Sequence, residues 1–196
     1  MDVSSDHAQG QLGALHARAR CRRCEWRWKA DIIEAGGWWE HPASLAADPV
    51  WKHHAVNLGG GAQFYAYDVN GDGLPDIIGS VAAHGYGLAW WEQVRTGDEI
   101  RFRKHLIMGE KAEENRYGVH FSQLHALELA DIDGDGLKDI VVGKRFWAHG
   151  THGDPEPNEP AVLYGSSSSA TARMSISSRT WSMTIPVSAP RWSSAM

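Results

Sequence analysis

The sequence contains no apolar run that approaches the roughly 18 residues of a membrane span. The N-terminus also lacks the basic, apolar and small-residue succession of a signal peptide, which is uninformative if the true start lies elsewhere. A nucleophile elbow, a phosphate loop, a dinucleotide fingerprint and a zinc-protease helix motif are all missing. We therefore expect no membrane span, and the sequence offers none of the common signatures of these enzyme classes.

Cysteine and positive charge are both scarce. The 2 cysteines, Cys21 and Cys24, have the spacing of half a zinc site or of a redox motif. No second pair completes a zinc site, so binding nothing is favoured over either kind of site, and an out-of-frame origin of the segment explains the pair better still. The formal net charge of −5 argues against a nucleic-acid surface, and we expect no nucleic-acid partner. The 42% of hydrophobic residues is enough for the core of one domain or a small pair.

The most informative stretch is residues 131–139, which is rich in Asp and Gly and runs directly into an apolar segment. Carboxylates at alternate positions converge on one point only if the backbone coils tightly, which Gly134 and Gly136 permit. Calcium takes about 6–8 oxygen ligands. An EF-hand is excluded because Val142 replaces its final glutamate, and we expect a strand to follow. The candidate ligands are the side chains of Asp131, Asp133, Asp135 and Asp139 and the carbonyl of Leu137.

A near copy of this loop lies at residues 68–76 and also runs into an aliphatic segment. The two copies begin 131 − 68 = 63 residues apart. A repeat of roughly 20–50 residues, lengthened here by a loop, indicates a solenoid, propeller or array. Short strands between turn signals predict all-β antiparallel structure. Each unit also repeats a Trp-Trp-Glu strand and a His-containing strand, at residues 38–40 and 51–56 and again at 90–92 and 102–107.

Both ends of the chain depart from the repeat. Asp31 matches the ninth loop position, and the codons of residues 23–28 can spell Asp-Val-Asn-Gly-Asp-Gly in a shifted frame, because a Trp codon read one base later always encodes Gly. Residues 165–196 contain 11 Ser and no Asp or Glu, which literally indicates a disordered tail. If one lost base is restored after the codon of Tyr164, the codons of residues 165–169 can spell Trp-Phe-Glu-Leu-Val. We therefore predict that residues 1–28 are out of frame or disordered, and that residues 165–196 are an out-of-frame, Ser-rich disordered tail.

Residues 68–79 and 131–143 resemble the FG-GAP/VCBS repeat family, whose members are similar to the calcium-bearing blades of integrin α-subunits. The resemblance covers roughly residues 31–164 and implies a β-propeller, commonly seven-bladed, with calcium in a loop between two strands of a blade. Because Asn70 removes one charge from the first loop, we expect the second site to bind calcium more tightly. By position, the implied ligands of the first site are Asp68, Asn70, Asp72, the Leu74 carbonyl and Asp76.

The expected fold is an all-β, partial β-propeller of two to three antiparallel blades. Residues 29–164 would form the repeat region, with blades at about residues 29–60, 61–118 and 119–164. A propeller closes with typically about 4–8 blades. We therefore expect a fragment of a longer propeller, whose partners include the missing blades, and an open arc with unpaired strand edges.

The leading functional interpretation is a calcium-stabilised module with a structural or recognition role and a carbohydrate or protein ligand. The resemblance implies an extracellular or periplasmic location. The alternative is part of a propeller enzyme, of the polysaccharide lyase or dehydrogenase type, with histidines facing the channel. His149 and His152 with Asp154 have a spacing suited to a transition metal or to acid–base work, although an incidental surface loop is favoured. The other candidates are His84, His120 and His125.

The paired tryptophans also admit two interpretations. Adjacent residues in a strand face opposite ways, so at most one of each pair can line a sugar-stacking surface. Their repetition favours blade-to-blade packing, for Trp38 and Trp39 as for Trp90 and Trp91. The strand histidines His53, His54 and His105 recur at one position, which favours packing or inter-strand hydrogen bonds over catalysis.

Overall fold

The computed structural model of the protein describes residues 13–14, 30–115, 118–147, 149–168 and 176–184. These residues form twelve β-strands and one short 3₁₀-helix, Ala112–Glu114. The described part contains no α-helix, so the predicted all-β fold is confirmed. It follows that none of the described helices could cross a membrane.

The strands form three four-stranded antiparallel sheets, in each of which neighbours follow chain order. We call them blade 1, blade 2 and blade 3. Blade 1 contains β1 (Gly13–Ala14), β2 (Ile32–Glu34), β3 (Gly37–Glu40) and β4 (Lys52–Ala55). Blade 2 contains β5 (Phe64–Tyr67), β6 (Asp76–Ser80), β7 (Leu88–Thr96) and β8 (Glu99–Met108). Blade 3 contains β9 (Ala126–Ala130), β10 (Asp139–Lys144), β11 (Val162–Ser168) and β12 (Ile176–Thr184).

The blades share two apolar cores. Because each core draws side chains from the facing surfaces of two sheets, the blades pack face to face, in the manner of adjacent propeller blades. The core between blades 1 and 2 contains Ile33, Leu58, Phe64, Ile77, Ala89 and Trp91. The core between blades 2 and 3 contains Ile78, Leu88, Trp90, Ile107, Met108, Phe121, Leu124, Leu127, Ile140 and Val142.

Trp90 and Trp91 show how one strand serves both cores. Successive side chains of a strand point to opposite faces. Trp90 therefore enters the core shared with blade 3, while Trp91 enters the core shared with blade 1. Their exposed fractions are 6% and 2%. Blade-to-blade packing is confirmed for this pair, and neither ring is available as a sugar-stacking surface.

The expectation of unpaired strand edges at the ends of the arc stays a prediction, and the described blades show in addition how a sheet face is left at one end. The strands of a blade hydrogen-bond within their own sheet, and successive blades meet through their faces. In blade 3, Ile140 and Val142 point into the core, so Val141 between them points away from blade 2. Leu163 is 43% exposed. At Leu163, therefore, the face of blade 3 that is turned away from blade 2 is exposed.

The two terminal segments are described in part. Cys21 and Cys24 lie outside the described residues, as does most of the segment predicted to be out of frame. In the predicted Ser-rich tail, residues 165–168 complete β11, and Ile176–Thr184 forms β12 beside it. For these residues the structure has strands in place of the expected disorder. The frameshift itself concerns the DNA and stays a prediction.

Candidate metal loops and a histidine cluster

Both Asp/Gly loops connect the first two strands of a blade. Residues 68–75 join β5 to β6, and residues 131–138 join β9 to β10. The last carboxylates, Asp76 and Asp139, begin the second strand of their blades, so a strand follows each loop as predicted. These two residues are 0% and 2% exposed. Each loop is thus anchored through a buried acid at the edge of an inter-blade core.

In the first loop, Asp68 organises the backbone. Its Oδ1 accepts hydrogen bonds from the amides of Gly71 and Asp72 at 2.8 and 3.1 Å, and its Oδ2 accepts from the amide of Gly73 at 2.9 Å. Gly71 and Gly73 have φ angles of 75° and 85°, which glycine adopts without steric cost. The amide of Leu74 donates to Oδ1 of Asp72 at 2.8 Å. The loop therefore closes around its first carboxylate.

The second loop repeats this arrangement. Asp131 accepts from the amides of Gly134 and Gly136 at 2.8 and 3.0 Å. The φ angles of these glycines are 78° and 88°. The amide of Leu137 donates to Oδ1 of Asp135 at 2.8 Å. The tight coil predicted from the two glycines is present in both loops.

The ninth carboxylate ties each loop back to its beginning. Oδ2 of Asp76 accepts from the amide of Val69 at 2.9 Å, and Oδ2 of Asp139 accepts from the amide of Ile132 at 2.8 Å. Burial raises the pKa of Asp76 to about 6, despite backbone hydrogen bonds that act the other way. The charges of Asp72 and Asp68 contribute to this raised pKa. A cation in the loop would favour the charged form of this acid.

Asp31 makes the corresponding contact in blade 1. Its Oδ1 accepts from the amide of His41 at 2.8 Å, as Oδ1 of Asp76 accepts from the amide of Gln93 at 2.9 Å. His41 and Gln93 each follow a Trp-Trp-Glu segment. Asp31 thus has the place of a ninth loop residue, and the rest of that loop falls outside the described part of the chain, apart from Ala30.

Carboxylates converge most clearly in the second loop. One oxygen from each of Asp131, Asp133 and Asp139 lies within 4.8 Å of the others, a group that does not include Asp135. Among the residues that the structure describes, the first loop has no such trio of acids. The all-oxygen donor set of the second loop fits a hard cation such as calcium.

A second cluster joins three segments beside blades 2 and 3. His84 lies between β6 and β7, His125 precedes β9, and His149 and Asp154 lie between β10 and β11. Asp154 Oδ1 is 2.9 Å from Nδ1 of His84, and its Oδ2 is 3.1 Å from Nδ1 of His149. Nε2 of His84 is 2.8 Å from Nε2 of His125. We call these four residues the histidine cluster.

The histidine cluster is partly buried and its charges are coupled. The side chain of Asp154 is 4% exposed. Burial opposes ionisation of Asp154, but hydrogen bonds from His149 and His84 outweigh it and lower the pKa of this acid. Burial, and then the neighbouring His84, lowers the pKa of His125. The cluster thus favours a charged carboxylate at Asp154 and a neutral imidazole at His125.

Sequence spacing correctly brought together two members of this cluster, His149 and Asp154, but added His152 as their companion. His149 joins the cluster, whereas His152 is exposed. His84 is 70 residues from Asp154 in the chain, so no local pattern relates them. His120 instead stacks on Tyr86 at 4.5 Å and lies 3.5 Å from Oε1 of Glu156.

The strand histidines have the structural role predicted for them. The ring of His54 stacks on Trp38 at 4.0 Å, and that of His105 stacks on Trp90 at 4.3 Å. Packing and inter-strand hydrogen bonding are therefore confirmed. Their nitrogens meet glutamates of the same sheet: His53 with Glu34 at 3.1 Å, His54 with Glu40 at 2.9 Å and His105 with Glu92 at 2.7 Å.

Face-to-face antiparallel blades, with an Asp/Gly loop between the first two strands, define a repeat module of the β-propeller type. Residues 68–142 match the sequence profile of the FG-GAP-like repeat. The match begins at the first residue of the first loop and ends in β10, just after the second loop. Over these residues the chain is similar to the FG-GAP-like repeat, and the predicted resemblance is confirmed. Neither the search of curated proteins nor that of solved structures gave a match.

Proposed function

We propose that this chain is a calcium-stabilised propeller segment that acts outside the cytoplasm as a structural or recognition module. The single observation that carries the proposal is the convergence of Asp131, Asp133 and Asp139 in a loop whose backbone is duplicated around Asp68. In the second loop, calcium would be held by Asp131, Asp133, Asp135, Asp139 and the Leu137 carbonyl. In the first, it would be held by Asp68, Asn70, Asp72, Asp76 and the Leu74 carbonyl.

The cation would act on folding rather than on a reaction. Carboxylates gathered within a few ångströms repel one another, and a divalent cation removes that repulsion. A ligand that binds the folded state alone stabilises that state, by an amount that grows with the ratio of ligand concentration to Kd. Because Asp139 is both a proposed ligand and the first residue of β10, calcium in the second loop would stabilise the blade itself.

Thermal unfolding with calcium and with a chelator tests the proposal. We expect calcium to raise the Tm of the wild-type chain, and to raise it less in Asp133→Asn. Asp98→Asn is the matched control, since Asp98 is an exposed acid between β7 and β8 and outside both loops. Equal calcium responses in all three proteins would contradict a role for the second loop.

The proposed extracellular location predicts a particular range of calcium affinity. Extracellular modules bind calcium with a Kd of about 10⁻⁴–10⁻³ M, whereas intracellular sensors and buffers bind more tightly. Titration calorimetry should give the weaker range for this chain. A submicromolar Kd at both loops would count against the assignment.

A second candidate, part of a propeller lyase or dehydrogenase, is favoured by the histidine cluster. A carboxylate that orients an imidazole is a common arrangement for general acid–base work. The test is release of unsaturated or reducing ends from acidic polysaccharides, with His149→Ala compared with His152→Ala. Activity that both variants retain would not come from this cluster.

A further inference from the structure

We propose that the histidine cluster binds a divalent transition-metal ion of the zinc class, at a site independent of the calcium loops. The ligands assigned are His84, His149 and Asp154, with His125 beside them. One ligand atom from each of the first three lies within 4.8 Å of the others. Around zinc, with ligand distances of about 2.0–2.2 Å, ligand atoms lie about 3–4 Å apart, so small movements suffice to close the site.

The donor set separates this site from the loops. Imidazole nitrogen with carboxylate suits zinc, copper, iron or nickel, whereas carboxylate and carbonyl oxygen suit calcium. The loops offer oxygen alone, while this cluster offers nitrogens from His84, His125 and His149 around the single carboxylate of Asp154. The two kinds of site should therefore fill with different ions in the same protein.

Charge also favours a cation at this point. Asp154 is nearly buried, and its ion-pair partners in the described structure are His84 and His149. Lys144, a nearby buried cation, donates instead to the backbone oxygen of Glu156 and to Ser122. A largely buried carboxylate whose direct partners are imidazoles is costly, and a divalent ion would compensate it.

Without metal, the same atoms can form a hydrogen-bonded chain. Nδ1–H of His84 donates to Asp154, and Nε2 of His84 accepts from Nε2–H of His125. A purely structural chain and a metal site differ in whether an added ion binds and stabilises the fold.

Cobalt(II) is the probe, because its visible absorption reports nitrogen and oxygen ligands directly. The full chain is titrated with Co²⁺ at saturating Ca²⁺, so that the loops are filled. We expect one equivalent to bind with visible bands, and at least tenfold weaker binding in His149→Ala. His152→Ala is the matched control, being an exposed histidine of the same segment, and should bind as the wild type does.

Two further readouts keep the result decisive. His84→Asn tests a second ligand, and its calcium-dependent melting shows whether it folds. Zn²⁺ should raise the Tm of the wild type and of His152→Ala but not of His149→Ala. The proposal is overturned if no visible band develops, if His149→Ala and His152→Ala bind alike, or if Ca²⁺ displaces Co²⁺.

Discussion

The backbone amide of Lys138, in the second loop, donates a hydrogen bond of 3.1 Å to the phenol oxygen of Tyr67, the residue just before the first loop. The bond crosses from blade 3 to blade 2. It places the end of the second loop against the start of the first, although they are 71 residues apart in sequence. The second loop is therefore held against the strand that leads into the first loop.

Tyr67→Phe should weaken this connection. Loss of one hydrogen bond costs about 0.5–1.5 kcal/mol, and the exposed position places this one at the lower end. We expect a small fall in Tm and weaker calcium binding at the second loop, measured by calorimetry. Unchanged calcium affinity would mean that the loops act independently.

Asn70→Asp should have opposite effects with and without calcium. The Asn70 side-chain amide donates to Oδ2 of Asp72 at 3.1 Å, and an aspartate there would replace this attraction with repulsion. We expect a lower Tm in chelator but tighter calcium binding, since added ligand charge raises affinity. In the wild type the second loop should be the tighter site. The Asp133→Asn variant, which weakens the second site, shows which measured affinity belongs to which loop. A tighter first site would contradict this order.

Trp91→Ala should be among the most damaging single substitutions. Trp91 is 2% exposed in the core between blades 1 and 2, and loss of such a side chain costs about 3–5 kcal/mol. Trp147→Ala is the control, because Trp147 is 49% exposed, and it should change stability by less than about 1 kcal/mol. Denaturant unfolding in calcium measures both. Similar losses would mean that the face-to-face core contributes little.

Alkaline pH should destabilise the fold through Tyr65. Burial, and then the hydrogen bond to Glu128, raises the pKa of Tyr65 above 10.0. The folded state then holds this proton more tightly than the unfolded state does. The contribution of Tyr65 to stability is therefore fully present below pH 10 and is lost as the pH rises through the folded pKa. Unfolding by urea between about pH 9 and 11 should show a shallower decline in Tyr65→Phe than in the wild type. Parallel declines would exclude Tyr65.

The coding DNA should carry a one-base shift near residue 164. Gly165 and Ser166 have the register positions of Trp90 and Trp91, since each pair lies opposite the two residues that follow the last carboxylate of its loop. The predicted in-frame Trp-Phe-Glu would thus fall where blade 2 has Trp-Trp-Glu. DNA that cannot spell these residues in another frame would refute the hypothesis.

The sequence was sufficient to predict the local structure of the loops and strands. The alternation of Asp131, Asp133 and Asp135 with glycine specifies a tight loop, because backbone coiling and side-chain reach depend on neighbours in the chain. The same holds for the strand that begins at Asp139. The paired tryptophans indicated two opposite faces, because strand periodicity is local.

Only the tertiary structure decided which distant residues meet. Whether Trp90 and Trp91 were both buried depended on a blade lying on each side of β7. His84 reaches Asp154 across 70 residues, and His125 reaches His84 across 41, so no spacing rule could have paired them. The sequence by itself determined the loops and the alternation of side chains between the two faces of each strand, since both are local. The stacking of the blades decided the cores, the contact of Tyr67 with Lys138 and the histidine cluster.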